Sequence, residues 1–155
     1  MIGKLSNEQI AHILQSQTIG RIACYDDGKQ YIVPISYAFD QGYIYAHSLE
    51  GQKVKMMRNN PRVCFQVDSI ENMTNWRSVI IWGEYEELTD DKDYQYGLKI
   101  IEDRMIPYNI STAVRPEAGK EPSTPTMVKK SMKAIVFRIK IFDETGRYEK
   151  GNSNH

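Results

Sequence analysis

No stretch of this chain is apolar for long enough to cross a bilayer, and the N-terminal Met1-Ile2-Gly3-Lys4-Leu5 lacks the hydrophobic core of a signal peptide. The expectation is a soluble, cytoplasmic protein with no membrane partner. An excess of charge of either sign is also missing: twenty Lys plus Arg stand against twenty Asp plus Glu. That balance argues against a generally basic, nucleic-acid-binding surface, although it leaves room for a local patch. Cysteine is scarce. Cys24 and Cys64 each sit in an apolar, strand-like run, and neither has the spacing of a zinc site or a redox pair, so no metal is expected and both read as buried, reduced thiols. Proline is thin outside one span: four of the six lie between Pro107 and Pro125, together with Gly119. This span reads as an irregular loop, of the long kind that serves as a lid or a partner contact. With 155 residues, the chain fits a single domain over 1–155 that buries about two thirds of the surface exposed when unfolded, without metal or disulfide staples.

What is present begins with a well-marked helix. Ser6 and Gln9 have the spacing of a capping box, Leu5 and Ile10 that of a hydrophobic staple, and Ile10, Ile13 and Leu14 form an apolar stripe. His12 lies off the stripe and reads as an exposed helical histidine. Strands follow. Ile19 to Tyr25 and Tyr31 to Phe39 flank the turn Asp26-Asp27-Gly28-Lys29, and Asp40-Gln41-Gly42 leads into a third strand, which together predict an antiparallel meander. Pro34 cannot donate to a ladder, so there the strand lies at an edge, bulges, or turns its backbone towards something other than a strand. An ordinary edge-strand proline and a ligand along the backbone both satisfy this.

The stretch from Tyr43 to Val63 carries the expected chemistry. Tyr43, Tyr45 and His47 alternate with Ile44, Ala46 and Ser48, so a strand ends on two polar side chains. Gly51 allows a sharp turn, and Gln52 to Asn59 reads as a short helix closed by Asn60 and Pro61. Unpaired backbone N–H groups, the positive end of the helix dipole and Lys53 then meet at one point, which makes a phosphate seat.

Further on, Arg62 to Asp68 is a strand, Ile70 to Asn75 a polar connection, and Arg77 to Leu88 a strand whose Val79-Ile80-Ile81-Trp82 run does not alternate. Both of its faces are therefore expected to be covered, as in a closed barrel with a second subunit packed outside. Thr89-Asp90-Asp91 opens a helix with Tyr94, Leu98, Ile101 and Met105 on its core face. Lys133 to Phe142 is the last strand, and Glu149 to His155 reads as a mobile polar tail.

These residues resemble the pyridoxamine 5'-phosphate oxidase-like flavin-binding split barrels, and among them the subgroup associated with nitroimidazole resistance. The resemblance rests on Gly20-Arg21-Ile22-Ala23, Tyr31-Ile32-Val33-Pro34-Ile35, His47-Ser48-x-x-Gly51-x-Lys53, Asn60-Pro61-Arg62-Val63, Arg77-Ser78-Val79-Ile80-Ile81-Trp82-Gly83 and Thr145-Gly146-Arg147, in that order over nearly the whole chain. It implies a mainly β protein with flanking helices (α+β), a six-stranded antiparallel split β-barrel that forms a homodimer and holds FMN, with FAD or haem as alternatives, at the subunit interface. It further implies that Val33 and Pro34 lie along the flavin, His47 and Ser48 beside its ring and ribityl chain, and Gln52 and Lys53 at its phosphate. Ser78, beside Arg77, would approach from across the interface.

The departures are informative. The oxidase proper has basic residues where this chain has Tyr31 and Gln52, so phosphate binding would either be weaker here or be supplied partly by Arg21 or Arg77. It also ends in a Trp-Arg-containing segment, whereas Arg147 to His155 contains no tryptophan. This argues against vitamin B6 oxidation. The implied activity is electron transfer from NADH or NADPH to a small acceptor such as a nitroimidazole. In that reaction His47, the one side chain there that ordinarily titrates near neutrality, is the catalytic choice as proton donor. The other reading is a dimer that binds flavin or haem without turnover.

Overall fold

A computed structural model describes residues 1–112 and 133–152, with side chains omitted for 106–112. Eight strands and three helices follow in the order β1 (Ile2–Lys4), α1 (Asn7–Ser16), β2 (Ile19–Asp26), β3 (Lys29–Ser36), β4 (Ala38–Asp40), β5 (Tyr43–Ser48), α2 (Gln52–Asn59), β6 (Arg62–Asn72), β7 (Asn75–Glu87), α3 (Asp91–Thr112) and β8 (Ile135–Lys150). All ladders are antiparallel, and the sheet runs β3-β2-β6-β7-β8-β5-β4 with β1 added on β8. No helix among the described residues is long and apolar enough to cross a membrane.

The first helix forms as its sequence dictates. Ser6 Oγ accepts from the Gln9 N–H at 3.2 Å while the Gln9 side chain accepts from the Ser6 N–H at 2.9 Å, and Ile10, Ile13 and Leu14 are buried. At the other end, Arg104 of α3 donates to the carbonyls of Gln15 and Ser16, which the last turn leaves unpaired. Two hairpins turn on residue pairs with positive φ, Asp27-Gly28 and Gln41-Gly42, whose left-handed backbone matches the twist of the strands they join.

Several expectations about the strands are corrected. The expected strand from Tyr31 to Phe39 is two strands, because Tyr37 leaves the ladder: its N–H bonds Thr18 O, its hydroxyl donates to Leu14 O at 2.7 Å, and its buried ring meets Phe65 edge-on at 5.1 Å. The meander is therefore broken, with β3 pairing β2 and β4 pairing β5. Since β3 and β4 end the sheet on opposite sides yet are separated only by Tyr37, the sheet must curl until its two edges meet at that residue. Eight strands stand where six were expected; β1 and β4 are the three-residue additions. The polar connection is largely strand, since β6 reaches Asn72, and the last strand continues past Phe142 to Lys150, taking in the first two residues of the expected tail, where Glu149 pairs with both Ile2 and Trp76. A bulge at Trp82/Gly83 leaves Phe142 out of register. Gly83 has to be glycine here, since a Cβ would collide with the Ile139 side chain and the Lys140 carbonyl.

The Val79–Trp82 run alternates in burial after all. Val79 and Ile81 are buried and Trp82 is exposed, because the chain alone covers just one face of β7. Pro107 lies inside the span of α3, so the irregular loop does not begin there; an internal proline removes one backbone hydrogen bond without forbidding the helix. The rest of that loop, and residues 153–155 of the tail, lie outside the described residues.

Candidate functional site

The end of β5 sorts its two polar side chains onto opposite faces. Ile44 and Ala46 are buried in the main core and Ser48 continues their row, whereas His47 continues the row of Tyr43 and Tyr45, which pack against α3. Ser48 is half-buried and His47 is exposed. Alternation thus aims one at the interior and the other outward.

From Ser48 the chain turns through Gly51, the N-cap of α2, which is extended and supplies no side-chain cap. The first N–H groups of the helix are left to an outside acceptor. Lys53 stands in this first turn and donates to Ser48 Oγ at 2.6 Å, and that hydroxyl donates to the Leu49 carbonyl at 2.8 Å. Among the described residues no carboxylate pairs with Lys53. Burial holds its ammonium below the ordinary lysine range. A partly desolvated cation with one neutral partner is a group that an anion would stabilise. Gln52 beside it is exposed.

Two features steady this turn. Val54, Met56 and Met57 are buried, fixing α2 against β2, where Cys24 Sγ lies 4.0 Å from Met56 Sδ and 3.8 Å from the Tyr31 carbonyl oxygen. Burial pushes the Cys24 thiol up, so it stays neutral beside Lys53. At the far end of α2, Arg58 donates to Glu50 and, at 2.9 Å, to Glu87, whose second donor is the Tyr85 hydroxyl. The residue before the turn is thereby tied to the last turn of the helix. Glu50 and Arg58 were not singled out from the sequence, and Cys24 was read there only as a buried thiol, which it is. The basic residue closing the short helix was the available sign for Arg58, but its carboxylate partners come from separate elements.

β3 is the edge of the sheet. Asp26 and Lys29 flank the two-residue turn as a hydrogen-bonded pair, so counting along the register makes Arg21↔Pro34 a pair without hydrogen bonds, which suits a residue lacking N–H. Pro34 is exposed, Val33 faces the core, and the backbone of Ile32 and Pro34 points away from β2. Arg21 is committed to Asp68 at 3.2 Å. Lys53, Ser48, Cys24 and the Tyr31–Pro34 edge are thus linked through α2 and β2.

Arg77 and Ser78 do not join them within one chain. Ser78 pairs with Arg147 whereas His47 pairs with Val136, positions about 36 Å apart along β8. They also face opposite ways. Ser78 shares the outer face with Gln66, whose amide donates to it at 3.1 Å, and Arg77 lies on the face under α1.

The sequence model of the family described as pyridoxamine 5'-phosphate oxidase matches residues 6–139. An uncharacterized protein of Rhizobium meliloti is 37% identical over 84 residues, 54% of this chain and 56% of that protein, so the match spans little more than half of the relative's length. Among solved structures, a FAD-binding protein from Mesorhizobium loti superposes with a TM-score of 0.76 at 29% identity, covering 97% of this chain and 99% of that one. A candidate 5-nitroimidazole antibiotic resistance protein from Bacteroides thetaiotaomicron gives 0.69 at 18% identity over 96% and 87%, a likeness of fold.

Proposed function

The chain belongs to the pyridoxamine 5'-phosphate oxidase family, and from that premise we propose that it is a flavin-dependent oxidoreductase, working as a homodimer, that passes electrons from NADH or NADPH to small acceptors such as nitroimidazoles. The observation that carries this reading is Lys53: a partly buried ammonium, held by Ser48 at an uncapped helix start and paired with no carboxylate among the described residues. That arrangement fits a phosphate ester.

When bound, the flavin supplies two-electron transfer between nicotinamide and acceptor. The chain's own residues bind and orient it. Lys53, Gln52 and the first N–H groups of α2 would take the phosphate, Val33 and Pro34 would lie along the ring, and Ser78 of one protomer would reach the flavin of the other. FMN is the first choice; FAD, for which the Mesorhizobium loti relative is named, offers the same phosphate chemistry to the same seat. His47, exposed at the strand end, would hold a proton for the acceptor, since reduction of a nitro group consumes protons and hydride transfer from a nicotinamide does not need an imidazole.

The absorption spectrum of the purified protein is the first test, because flavin bands, a Soret band and an empty spectrum separate this reading from a haem-binding dimer and from an empty scaffold. Stopped-flow absorbance then tests the activity. In His47→Ala, anaerobic bleaching by NADH or NADPH should proceed at the wild-type rate, while reoxidation by a nitroimidazole should slow by about 100-fold or more. A mutant that reoxidises at the wild-type rate removes His47 as the proton donor.

A further inference from the structure

The end of the molecule opposite Lys53 carries a second polar site. Ser69 on β6, Asn75 and Arg77 on β7, and Tyr148 and Lys150 on β8 are register neighbours on three adjacent strands, since Ser69 faces Arg77, Arg77 faces Tyr148, and Asn75 faces Lys150, with Glu71 at the irregularity that ends the β6 ladder. Together they line a cavity of about 360 Å³ roofed by Leu5 and Gln9 at the start of α1. That is the lower end of the range for small-molecule pockets.

Some of the polar groups around it are already committed. The Trp76 indole donates to Glu149 at 2.9 Å, Gln9 belongs to the capping box, and Asn75 bonds Asn72 and the Gly151 N–H. Those of Ser69, Arg77 and Tyr148 have no side-chain partner among the described residues. They stand in one row across the sheet, a guanidinium between two hydroxyls, with the Lys150 ammonium one step along β8. The Tyr148 ring is held in place over Gly3, where a Cβ would overlap it. Arg77 also lines a smaller cavity of about 280 Å³ with Glu8, His12 and Ile13, so its guanidinium is reached from both sides of Gln9. Glu71 and Glu149 line the same cavity, and Glu8 the smaller one, and they disfavour a ligand of high negative charge, which limits the fit to a singly or doubly charged one.

We propose that this groove binds a small organic anion, its carboxylate or phosphate held by Arg77 with Ser69 and Tyr148 as flanking donors. A planar guanidinium matches either oxyanion with two parallel hydrogen bonds. The site shares no residue with the Lys53 turn, and it rests on Arg77 facing α1 rather than reaching the flavin phosphate from the outer face, where Ser78 lies.

Amide NMR of the full chain, loaded with its flavin, tests this with two probes, inorganic phosphate and benzoate. At least one should give saturable shifts centred on Ser69, Arg77 and Tyr148, and the stronger of the two identifies phosphate ester or aromatic carboxylate as the ligand class. Arg77→Gln should weaken that binding by about one to two orders of magnitude, with partial recovery in Arg77→Lys, while Lys53→Gln leaves it unchanged. Ser69→Ala and Tyr148→Phe test the same row if Arg77→Gln loses the folded spectrum. Shifts that never saturate, that persist in Arg77→Gln, or that centre on Gly51 to Lys53 for both probes overturn the proposal.

Discussion

The two faces of the sheet formed by β3, β2, β6, β7 and β8 have the same alternating origin and opposite fates. Facing inward, Ile22, Val67, Val79 and Ile81 are 0% exposed and Phe65 is 1% exposed. Facing outward, Ile32, on the same strand edge as Pro34, is 64% exposed, and Ile70 and Trp82 are 66% and 37% exposed. Ile80 and Cys64 fill the middle of that outer face, and its polar groups are paired with one another, Arg21 with Asp68 and Gln66 with Ser78. The chain buries the centre of one face and leaves the other with interface composition: an apolar centre, an aromatic anchor and a few satisfied polar pairs. The difference teaches that the core is a property of one chain, whereas the outer face gives the proposed homodimer its surface.

Four measurements would break or sharpen that contrast. The largest effect is expected inside. Phe65→Ala removes a buried ring that packs on Gly20 and meets Tyr37 edge-on, and should lower the unfolding free energy by about 3–5 kcal/mol in a denaturant titration. A loss below about 1 kcal/mol would mean that the interior tolerates cavities and is less complete than it looks.

Outside, Trp82→Glu should leave the folded protomer intact and weaken self-association by about 2 kcal/mol or more, as expected for a central interface tryptophan. Sedimentation at micromolar concentration should then show monomer where the parent chain is dimer. If both sediment alike, the outer face is not the interface.

The end of β5 splits between the faces, and its inward half can be probed through the ligand. Lys53→Ala should cost FMN about one to two orders of magnitude in affinity and riboflavin little, because riboflavin has no phosphate to lose. Equal losses for both would mean that Lys53 acts by steadying the turn.

The smallest effect is in protons. Burial lowers Lys53 from its ordinary 10.5, so between the lowered value and 10.5 the unfolded chain binds more protons than the folded one. In that window stability rises with pH, and Lys53→Met should abolish that part of the rise. A phosphate beside the ammonium raises its pKa again, so FMN binding should take up protons in the same window and weaken as pH climbs through it. Calorimetry in two buffers of different ionisation heat reads the uptake. No difference between the buffers would place the phosphate away from Lys53.

Much of this was legible in the sequence where a signal is local. Ser6 and Gln9 announce their own capping box, Asp27-Gly28 and Gln41-Gly42 their turns, and the sequence from His47 through Gly51 to Lys53 a strand, a turn and a cation within one short span. The break at Tyr37 was not legible, since Tyr31 to Phe39 reads as continuous strand and what divides it is a pair of bonds to Leu14 and Thr18. Glu149 and Lys150, the end of β8, read as tail because their partners, β1 and β7, are far away in the chain.

By itself, then, the sequence determined α1, α2 and the two glycine turns, and that a lysine stands at a helix start after a strand ending in His47 and Ser48. These depend on backbone preferences and side-chain periods that act over a few residues. Only the tertiary structure decided that Ser48 turns in and His47 out, that Arg77 and Ser78 part company, and that Val79 and Ile81 are covered while Trp82 is not. Those outcomes depend on which strand lies alongside and which helix lies above, and long-range packing, not local pattern, selects them.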